Sequence, residues 1–320
     1  DVIAHNREQL KSAALRHGSF TDWKQHLLPL YRAYQRKQFG RWVNGAYFTT
    51  YRERDCGIGW ERSSWEPGAI MAIKKLDEFC RRRFIDLVVV PVPTPGALSA
   101  PALFPELTPA DKIADSGFYE HLYKLSCENI EVINLMPMML ATMYKYPMFF
   151  PPDGDHHVSD QGAMAISGVL SEKLTRYGFT PNMDKQDFAM VEKPYGKISR
   201  SRRPVFWPEG NPKYSSEQPI LSKCINDRNT PLENELVADS PVLLWADSML
   251  LNPSAADGCT ISAFLSYQTG LKVSSYGVKA GALTFWPRFT GLNAKLLGKV
   301  RVCFLIYICD YNYDGYTWKY

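Results

Sequence analysis

The sequence predicts an α/β protein, a three-layer α/β/α sandwich built on a mostly parallel sheet. Two continuous β-branched runs, at 85–93 and 300–312, are typical of strands that are buried on both faces. Segments with helical spacing of apolar residues alternate with these runs, which favours strands covered by helices on both sides. Hydrophobic residues make up 45% and charged residues 22% of the chain, so its 320 residues can bury a sizeable core.

The elements follow from local patterns in chain order. Residues 1–38 are polar and basic with apolar residues at helical spacing, which predicts an amphipathic helical N-terminal extension. Residues 39–320 are predicted to form one domain with an irregular insertion near 181–240, where Pro, Asn, Ser and charge prevail without a period. Helices are predicted at 69–84, 111–127, 161–178 and 257–269, and strands at 85–93, 130–135, 241–250 and 300–312.

Bulk properties exclude several classes of protein. The formal net charge of +4 is too small to indicate nucleic-acid binding. The seven cysteines show no zinc-like spacing with histidine, and the pattern predicts neither a metal nor another cofactor. No apolar run is long enough to span a membrane. The chain begins at Asp1 without a methionine, and we expect a targeting segment to have been removed.

In a parallel sheet the functional residues gather at the carboxyl ends of the strands. Ser248 follows the apolar run 241–247, at a predicted turn from strand to helix. A serine there can expose its hydroxyl, and its backbone N–H can help to form an oxyanion hole. Taken alone, a serine after a strand is more often a helix N-cap than a nucleophile.

The second place is the loop before the helix at 161–178, which reads DHHVSDQGA over 155–163. Asp155 and His157 are two residues apart in predicted extended backbone, so their side chains point the same way. The carboxylate can then orient the imidazole, whose other nitrogen can take a proton from a nucleophile such as Ser248. A metal site is a second interpretation, although Asp-x-His supplies only two ligands. A polar loop in which Ser159 or Asp160 caps the helix is a third.

These motifs resemble a known family. Residues 155–163 are similar to the D-x-H-W-[ST]-x-x-G-A signature of the alginate O-acetyltransferase family, the AlgJ/AlgX-like branch of the SGNH hydrolase-like superfamily, with Val158 in place of the tryptophan. Three further segments resemble family elements in the same order, and the resemblance covers roughly 40–312. These segments are GRWVNGAYF at 40–48, KKLDEFCRRRFIDLVVVPVPTPGALSAPAL at 74–103 and VLLWADSML at 242–250.

The resemblance implies an SGNH hydrolase-like fold in which Asp and His precede Ser, a permuted order of catalytic elements. It implies Ser248 as nucleophile, His157 as general base and acid, and Asp155 as the orienting carboxylate. The expected activity is transfer of acetyl groups onto hydroxyls of an alginate-like bacterial exopolysaccharide, in the periplasm. The expected partners are that anionic polysaccharide and a membrane acyltransferase that supplies the acetyl donor.

Five further residues are candidates for substrate binding. Arg200 and Arg202 lie in the basic segment GKISRSRRP, where guanidinium groups match the planar carboxylates of a uronate polymer. Trp286 and Arg288 could form a sugar-stacking surface, and Tyr307 lies at a distance along the chain comparable to that of a late tyrosine of the family. The competing interpretations are a solvated loop for the arginines and core packing for the aromatic residues.

Two other functions remain open on the sequence. A carbohydrate esterase would use the same three residues, with water replacing the sugar hydroxyl as acceptor. A non-catalytic polysaccharide-binding protein would keep the fold without the chemistry, and the Val158 departure leaves that alternative open.

Overall fold

The computed structural model describes about half of the chain, and all structural statements concern that part. The described residues are 2–17, 42–43, 46–47, 66–93, 98, 116–143, 148–149, 157–178, 186–194, 220–247, 258–277, 292 and 294–308.

The described elements follow one another in α/β alternation. Helix α1 (Val2–His17) comes first, then a short antiparallel pair, β1 (Trp42–Val43) and β2 (Ala46–Tyr47). Helix α2 (Glu66–Arg81) leads into strand β3 (Asp86–Val92), and helix α3 (Ser116–Cys127) leads into strand β4 (Glu131–Val132). Helices α4 (Met136–Thr142) and α5 (Asp160–Leu174) precede an antiparallel pair, β5 (Ala189–Pro194) and β6 (Ile220–Ile225). Strand β7 (Val242–Ala246), helix α6 (Ile261–Thr269), strand β8 (Ser274–Gly277), helix α7 (Ala294–Leu297) and strand β9 (Val302–Ile308) complete the order.

Five strands form one sheet in the order β4-β3-β9-β7-β8, and every pairing in it is parallel. Strand β9, the last of the described strands, therefore lies in the middle between β3 and β7. Its residues Val302 to Tyr307 are buried, as are the six residues of β3 that follow Asp86 and all of β7. A parallel sheet needs cover on both faces, and these apolar strands receive it. The predicted α/β sandwich with a mostly parallel sheet is confirmed.

Helices pack on opposite faces of this sheet. Helix α3 connects β3 to β4 in one direction across the sheet, and α6 connects β7 to β8 in the other. Because such crossovers are right-handed, the two helices lie on different faces. Helix α1 packs on α3, and its Leu10 and Ala13 belong to the common core. Helix α5 packs along α6, where the Ser167 hydroxyl donates to the Ile261 carbonyl at 2.8 Å.

Three elements differ from the sequence prediction. The strand predicted at 130–135 has two residues, because helix α4 begins at Met136 with Pro137 in its first turn. The β5–β6 pair lies inside 181–240, where the strands carry no alternating apolar pattern. Strand β8 consists of Ser, Ser, Tyr and Gly, and its pairing with β7 rather than its own composition makes it a strand.

Candidate active site

The carboxyl edge of the sheet is where strand β7, the strand that precedes Ser248 in the sequence, ends. Strands β7 and β9 are in register from Val242 with Val302 to Ala246 with Ile306. One residue further, the Asp247 N–H donates to the Ile306 carbonyl at 3.3 Å. The Asp247 side chain is 1% exposed, and Ser248 follows it directly.

His157 lies at the same edge, as the two ends of helix α5 demonstrate. At the far end of α5, Arg176 binds Glu131 with both guanidinium nitrogens, at 2.6 and 2.5 Å, and Lys173 pairs with the same carboxylate. Glu131 begins strand β4, so this end of the helix lies at the amino edge of the sheet. The helix is about 22 Å long and β3 about 23 Å, which brings the start of α5 to the carboxyl edge.

The segment that carries His157 is held by backbone contacts. Val158 forms an antiparallel bridge with Phe149, and the Ser159 N–H donates to the Met148 carbonyl at 2.9 Å. The Ser159 hydroxyl accepts from the Gly162 N–H at 2.9 Å and caps helix α5. The capping role foreseen for Ser159 is confirmed, and it leaves His157 half-buried immediately before the helix.

Val158 stands where the family signature has tryptophan. Its side chain is 1% exposed and belongs to the hydrophobic core. An ideal Cβ built on Gly162 would lie 3.3 Å from the Val158 Cβ, so this side chain fills the space beside the first turn of α5. The smaller residue therefore still serves as a buried anchor next to His157.

Asp160 ties the start of α5 to the β5–β6 pair. Its carboxylate is fully buried and accepts from the Ser222 N–H at 2.9 Å. A carboxylate in the first turn of a helix is also stabilised by the helix dipole. The Ser222 carbonyl accepts from the Cys259 thiol at 3.2 Å, next to the start of α6. The β5–β6 pair thus contacts the N-terminal ends of both helices on this face.

Gly258 lies at the junction between strand β6 and the start of helix α6. Its φ is +87°, and an added Cβ would lie 2.6 Å from the Cys224 carbonyl oxygen, so a side chain is excluded for two reasons. The Cys224 N–H donates to the Gly258 carbonyl at 2.8 Å. Burial raises the pKa of the Cys224 thiol to about 12, which keeps it protonated and unreactive.

Tyr307 lies at the carboxyl end of β9, level with Pro91 of β3, and its side chain is 1% exposed. Its hydroxyl and the His121 Nε2 of helix α3 are 2.6 Å apart, and His121 is equally buried. This hydrogen bond joins the middle strand to the helix layer opposite α5. Sequence analysis did not identify His121, because it lies in the apolar stripe of α3 with Phe118, Leu122 and Leu125.

The remaining candidates lie outside the described residues: Asp155, Ser248, Arg200, Arg202, Trp286 and Arg288. The proximity of Ser248 to His157 therefore stays a prediction. Within the described part, no group of three His, Cys, Asp or Glu side chains is arranged to hold a metal ion. None of the helices in that part is long and apolar enough to cross a bilayer.

The fold just described defines a class: an α/β domain with a parallel sheet, in which the segment that carries His157 lies at the carboxyl edge. Among solved structures, the chain is similar to the O-acetyltransferase domain of Pseudomonas putida AlgJ, with a TM-score of 0.56 and 15% identity. The match covers 80% of this chain and 86% of that one. This likeness confirms the fold that the motif resemblance implied.

Two further solved structures are similar at lower scores. AlgX of Pseudomonas aeruginosa matches with a TM-score of 0.45 and 16% identity over 76% of this chain and 57% of its own. PatB1 of Bacillus cereus, in a structure with a sulfonyl adduct, matches with a TM-score of 0.43 and 11% identity over 80% and 90%. No model of a known protein family matches the chain, and no curated protein does either.

Proposed function

We propose that this protein is an O-acetyltransferase that carries an acetyl group on Ser248 and delivers it to a hydroxyl of a polysaccharide. The observation that carries the proposal is the shared sheet edge. His157 precedes helix α5 at the carboxyl edge, and β7 ends there at Ala246, two residues before Ser248 in the sequence. The resemblance of the motifs and the AlgJ-like fold support the same activity.

The first half of the reaction forms an ester on the enzyme. His157 takes the proton of the Ser248 hydroxyl as its oxygen attacks the acetyl carbonyl, and Asp155 holds the second imidazole nitrogen. The Ser248 N–H stabilises the oxyanion of the tetrahedral intermediate. The donor oxygen then leaves with the proton from His157, and acetyl-Ser248 remains.

The second half repeats these steps with a new nucleophile. A sugar hydroxyl gives its proton to His157 and attacks the acetyl carbonyl, and Ser248 leaves as the protonated alcohol. Water at the same position would instead release acetate, which is the esterase alternative. Because the two outcomes share every enzyme residue, the acceptor that enters the site decides between them.

The proposed acceptor is an anionic, alginate-like exopolysaccharide in the periplasm, with the acetyl donor supplied by a membrane acyltransferase. Arg200, Arg202 and Arg288 would bind its carboxylates, and Trp286 would stack on its sugar rings. Tyr307, also a candidate for substrate binding, would support the site from the buried side, where its hydrogen bond to His121 holds it in place.

The direct test is the intact mass of the protein after incubation with an activated acetyl ester. We expect the wild type to gain one acetyl group and Ser248→Ala to gain none. His157→Gln should form the adduct at least about a hundredfold more slowly, because the base is lost. Ser12→Ala, which removes an exposed hydroxyl on helix α1, is the matched control and should behave as the wild type.

The outcomes separate the three functions. Acetylated polysaccharide among the products supports a transferase, whereas release of acetate alone, whatever polysaccharide is offered, supports an esterase. A protein that never acquires the adduct but binds the polymer is a binding protein, and the proposal is then wrong. An adduct that persists in Ser248→Ala would place the nucleophile elsewhere.

A further inference from the structure

Phe84 is a large apolar side chain that stands almost entirely in solvent. It is 86% exposed, the highest value among the large hydrophobic side chains of the described part of the chain. It lies between helix α2 and strand β3, at the amino edge of the sheet. Single exposed apolar residues are common on protein surfaces, so exposure alone assigns no role.

The backbone conformation at Phe84 is unusual for a phenylalanine. The Ile85 N–H donates to the Cys80 carbonyl and the Phe84 N–H to the Arg81 carbonyl, both at 3.0 Å, which is the Schellman pattern at a helix end. Phe84 occupies the left-handed position of this motif with φ at 57°. Bulky residues rarely adopt that conformation, and glycine or asparagine is the usual occupant.

Helix α3 provides an internal comparison, since it ends in the same motif. There the Ile130 N–H donates to the Leu125 carbonyl, and the left-handed residue is Asn129 with φ at 58°. Helix α6 ends at Gly270 with φ at 70°. The fold thus uses the expected residue types at two equivalent positions and phenylalanine at the third, so folding itself does not account for Phe84.

Three arginines precede Phe84, and all are exposed. Arg81 is held by the Asp77 carboxylate at 2.6 Å and by the Asn129 carbonyl at 2.9 Å. The Arg83 guanidinium lies 3.6 Å from the centre of the Phe79 ring. Arg81, Arg82, Arg83 and Phe84 form what we call the Phe84 patch, an exposed aromatic ring that directly follows three exposed arginines.

The charge of the neighbouring surface has the same sign. Arg301 and Lys299, both exposed, precede β9 at the same edge, and the Arg301 carbonyl accepts from the Asp86 N–H at 2.9 Å. The acids nearby are Glu78, on α2, Asp86, which hydrogen-bonds to Tyr177 beside α5, and Glu128, which is paired with Lys74. Cations therefore outnumber acids around Phe84.

We propose that the Phe84 patch docks this protein on an anionic phospholipid surface, with the Phe84 ring entering the interface and the arginines binding phosphates. A ring that protrudes into solvent can insert into the interface of a lipid bilayer, where apolar side chains and neighbouring cations act together. Guanidinium groups bind phosphate oxygens in pairs, and each basic residue near an anionic membrane adds to affinity.

Docking in this way orients the domain. The Phe84 patch lies at the amino edge of the sheet, and the candidate active site lies at the carboxyl edge, about 23 Å away along β3. The candidate site therefore faces away from the lipid. This orientation follows from the fold and does not depend on which reaction the site performs.

The test is co-sedimentation of the full chain with vesicles of phosphatidylcholine, with or without phosphatidylglycerol. We expect the wild type to bind the anionic vesicles and to lose binding as salt is raised. Phe84→Asn, which copies the end of α3, should weaken binding by at least about fivefold. Its midpoint of thermal unfolding should stay the same or rise, because asparagine suits the left-handed position.

Combined Arg82→Gln and Arg83→Gln should also weaken binding, and the remaining binding should depend less on salt. The matched controls are Leu15→Gln, which removes an exposed leucine of helix α1, and Arg228→Gln, which removes an exposed arginine after β6. Both should bind as the wild type does.

Four results would overturn the proposal. These are wild-type protein that does not bind anionic vesicles, Phe84→Asn that binds them fully, and Phe84→Asn that unfolds at a lower temperature. The fourth is loss of binding to soluble alginate, rather than to vesicles, in the patch variants, which would assign the surface to the polymer.

Discussion

At the scale of single residues, Gly162 controls the position of the segment that carries His157. A Cβ at this position would lie 2.1 Å from the Met148 carbonyl oxygen, which is backbone and cannot move cheaply. The contact accompanies the Ser159 N–H donated to the same carbonyl. The φ of a regular helix suits any residue, so backbone conformation does not require glycine at position 162. The close approach of the Met148 carbonyl to the helix does.

We expect Gly162→Ala to lower the free energy of unfolding by about 3 kcal/mol, because the methyl group forces the 148–149 segment away from helix α5. The displacement should also slow acetyl-Ser248 formation, since His157 moves with the segment. Chemical denaturation and the acetyl-adduct rate measure the two effects.

Gly168→Ala is the matched control for this change. The residue lies two turns along the same helix, and an added Cβ meets nothing within 4 Å. The variant should gain about 0.5–1 kcal/mol of stability from helix propensity alone. Equal effects of the two alanines would show that the contact with Met148 does not matter.

At the scale of elements, Glu131 fastens the C-terminal end of helix α5 to the sheet. Burial raises the pKa of the Glu131 carboxyl, but hydrogen bonds from Arg176 and Lys173 outweigh burial and hold that pKa below its ordinary value. The stabilisation is therefore fully present above the unfolded-state pKa of about 4.3 and is lost as the pH falls through the folded-state value.

We expect Glu131→Gln to lower the free energy of unfolding by about 2 kcal/mol at neutral pH, because two cations lose their partner. The difference between wild type and variant should shrink below about pH 4, where the wild-type carboxyl also becomes neutral. Urea denaturation across this pH range measures it.

Glu128→Gln serves as the comparison for Glu131→Gln. Glu128 pairs with Lys74 at 2.6 Å, but both side chains are more than a third exposed. Solvent screens such pairs, so this variant should have little effect at any pH. A pH-independent loss of stability in Glu131→Gln would mean that packing, not charge, joins α5 to β4.

At the scale of the whole molecule, the reactivity of the cysteine thiols can be used to measure unfolding of the domain. Cys80 of α2 and Cys303 of β9 are fully buried and adjacent, and burial raises the pKa of both thiols. Cys127 at the end of α3 is exposed. Since the thiolate is the reactive form, burial and a raised pKa both protect the first two.

Among the described cysteines, we expect Cys127 to react first with iodoacetamide under native conditions, as located by peptide mapping. Cys80 and Cys303 should react only through unfolding of the domain and with the same free energy of opening, because the central strand and α2 share one core. Modification of Cys303 as fast as Cys127 would contradict this packing.

The molecule as a whole presents two different edges. The carboxyl edge holds the start of α5 and the end of β7, and the amino edge holds Glu131 with its cations and the Phe84 patch. A single parallel sheet creates this division, because its five described strands point the same way, and α3 and α6, which connect neighbouring strands, return antiparallel to them.

Much of the fold was predictable because local signals agreed with tertiary packing. Strands β3 and β9 are continuous apolar runs, and helix α5 begins one residue before its predicted start, where Ser159 caps it. Helix α4 and strand β8 were not predictable. Helix α4 has only seven residues with Pro137 in its first turn, and β8 has no apolar run.

By itself, the sequence determined the fold class, the placing of His157 before a capped helix and the placing of Ser248 after a buried strand. These depend on periodicity, caps and turns, which act between residues close in the chain. Only the tertiary structure decided that strand β9 lies in the middle of the sheet and that His121 meets Tyr307 across 186 positions. It also decided that Asp160 binds Ser222. Such contacts form when distant segments share one core, and no local pattern encodes which distant partner a buried polar group will find.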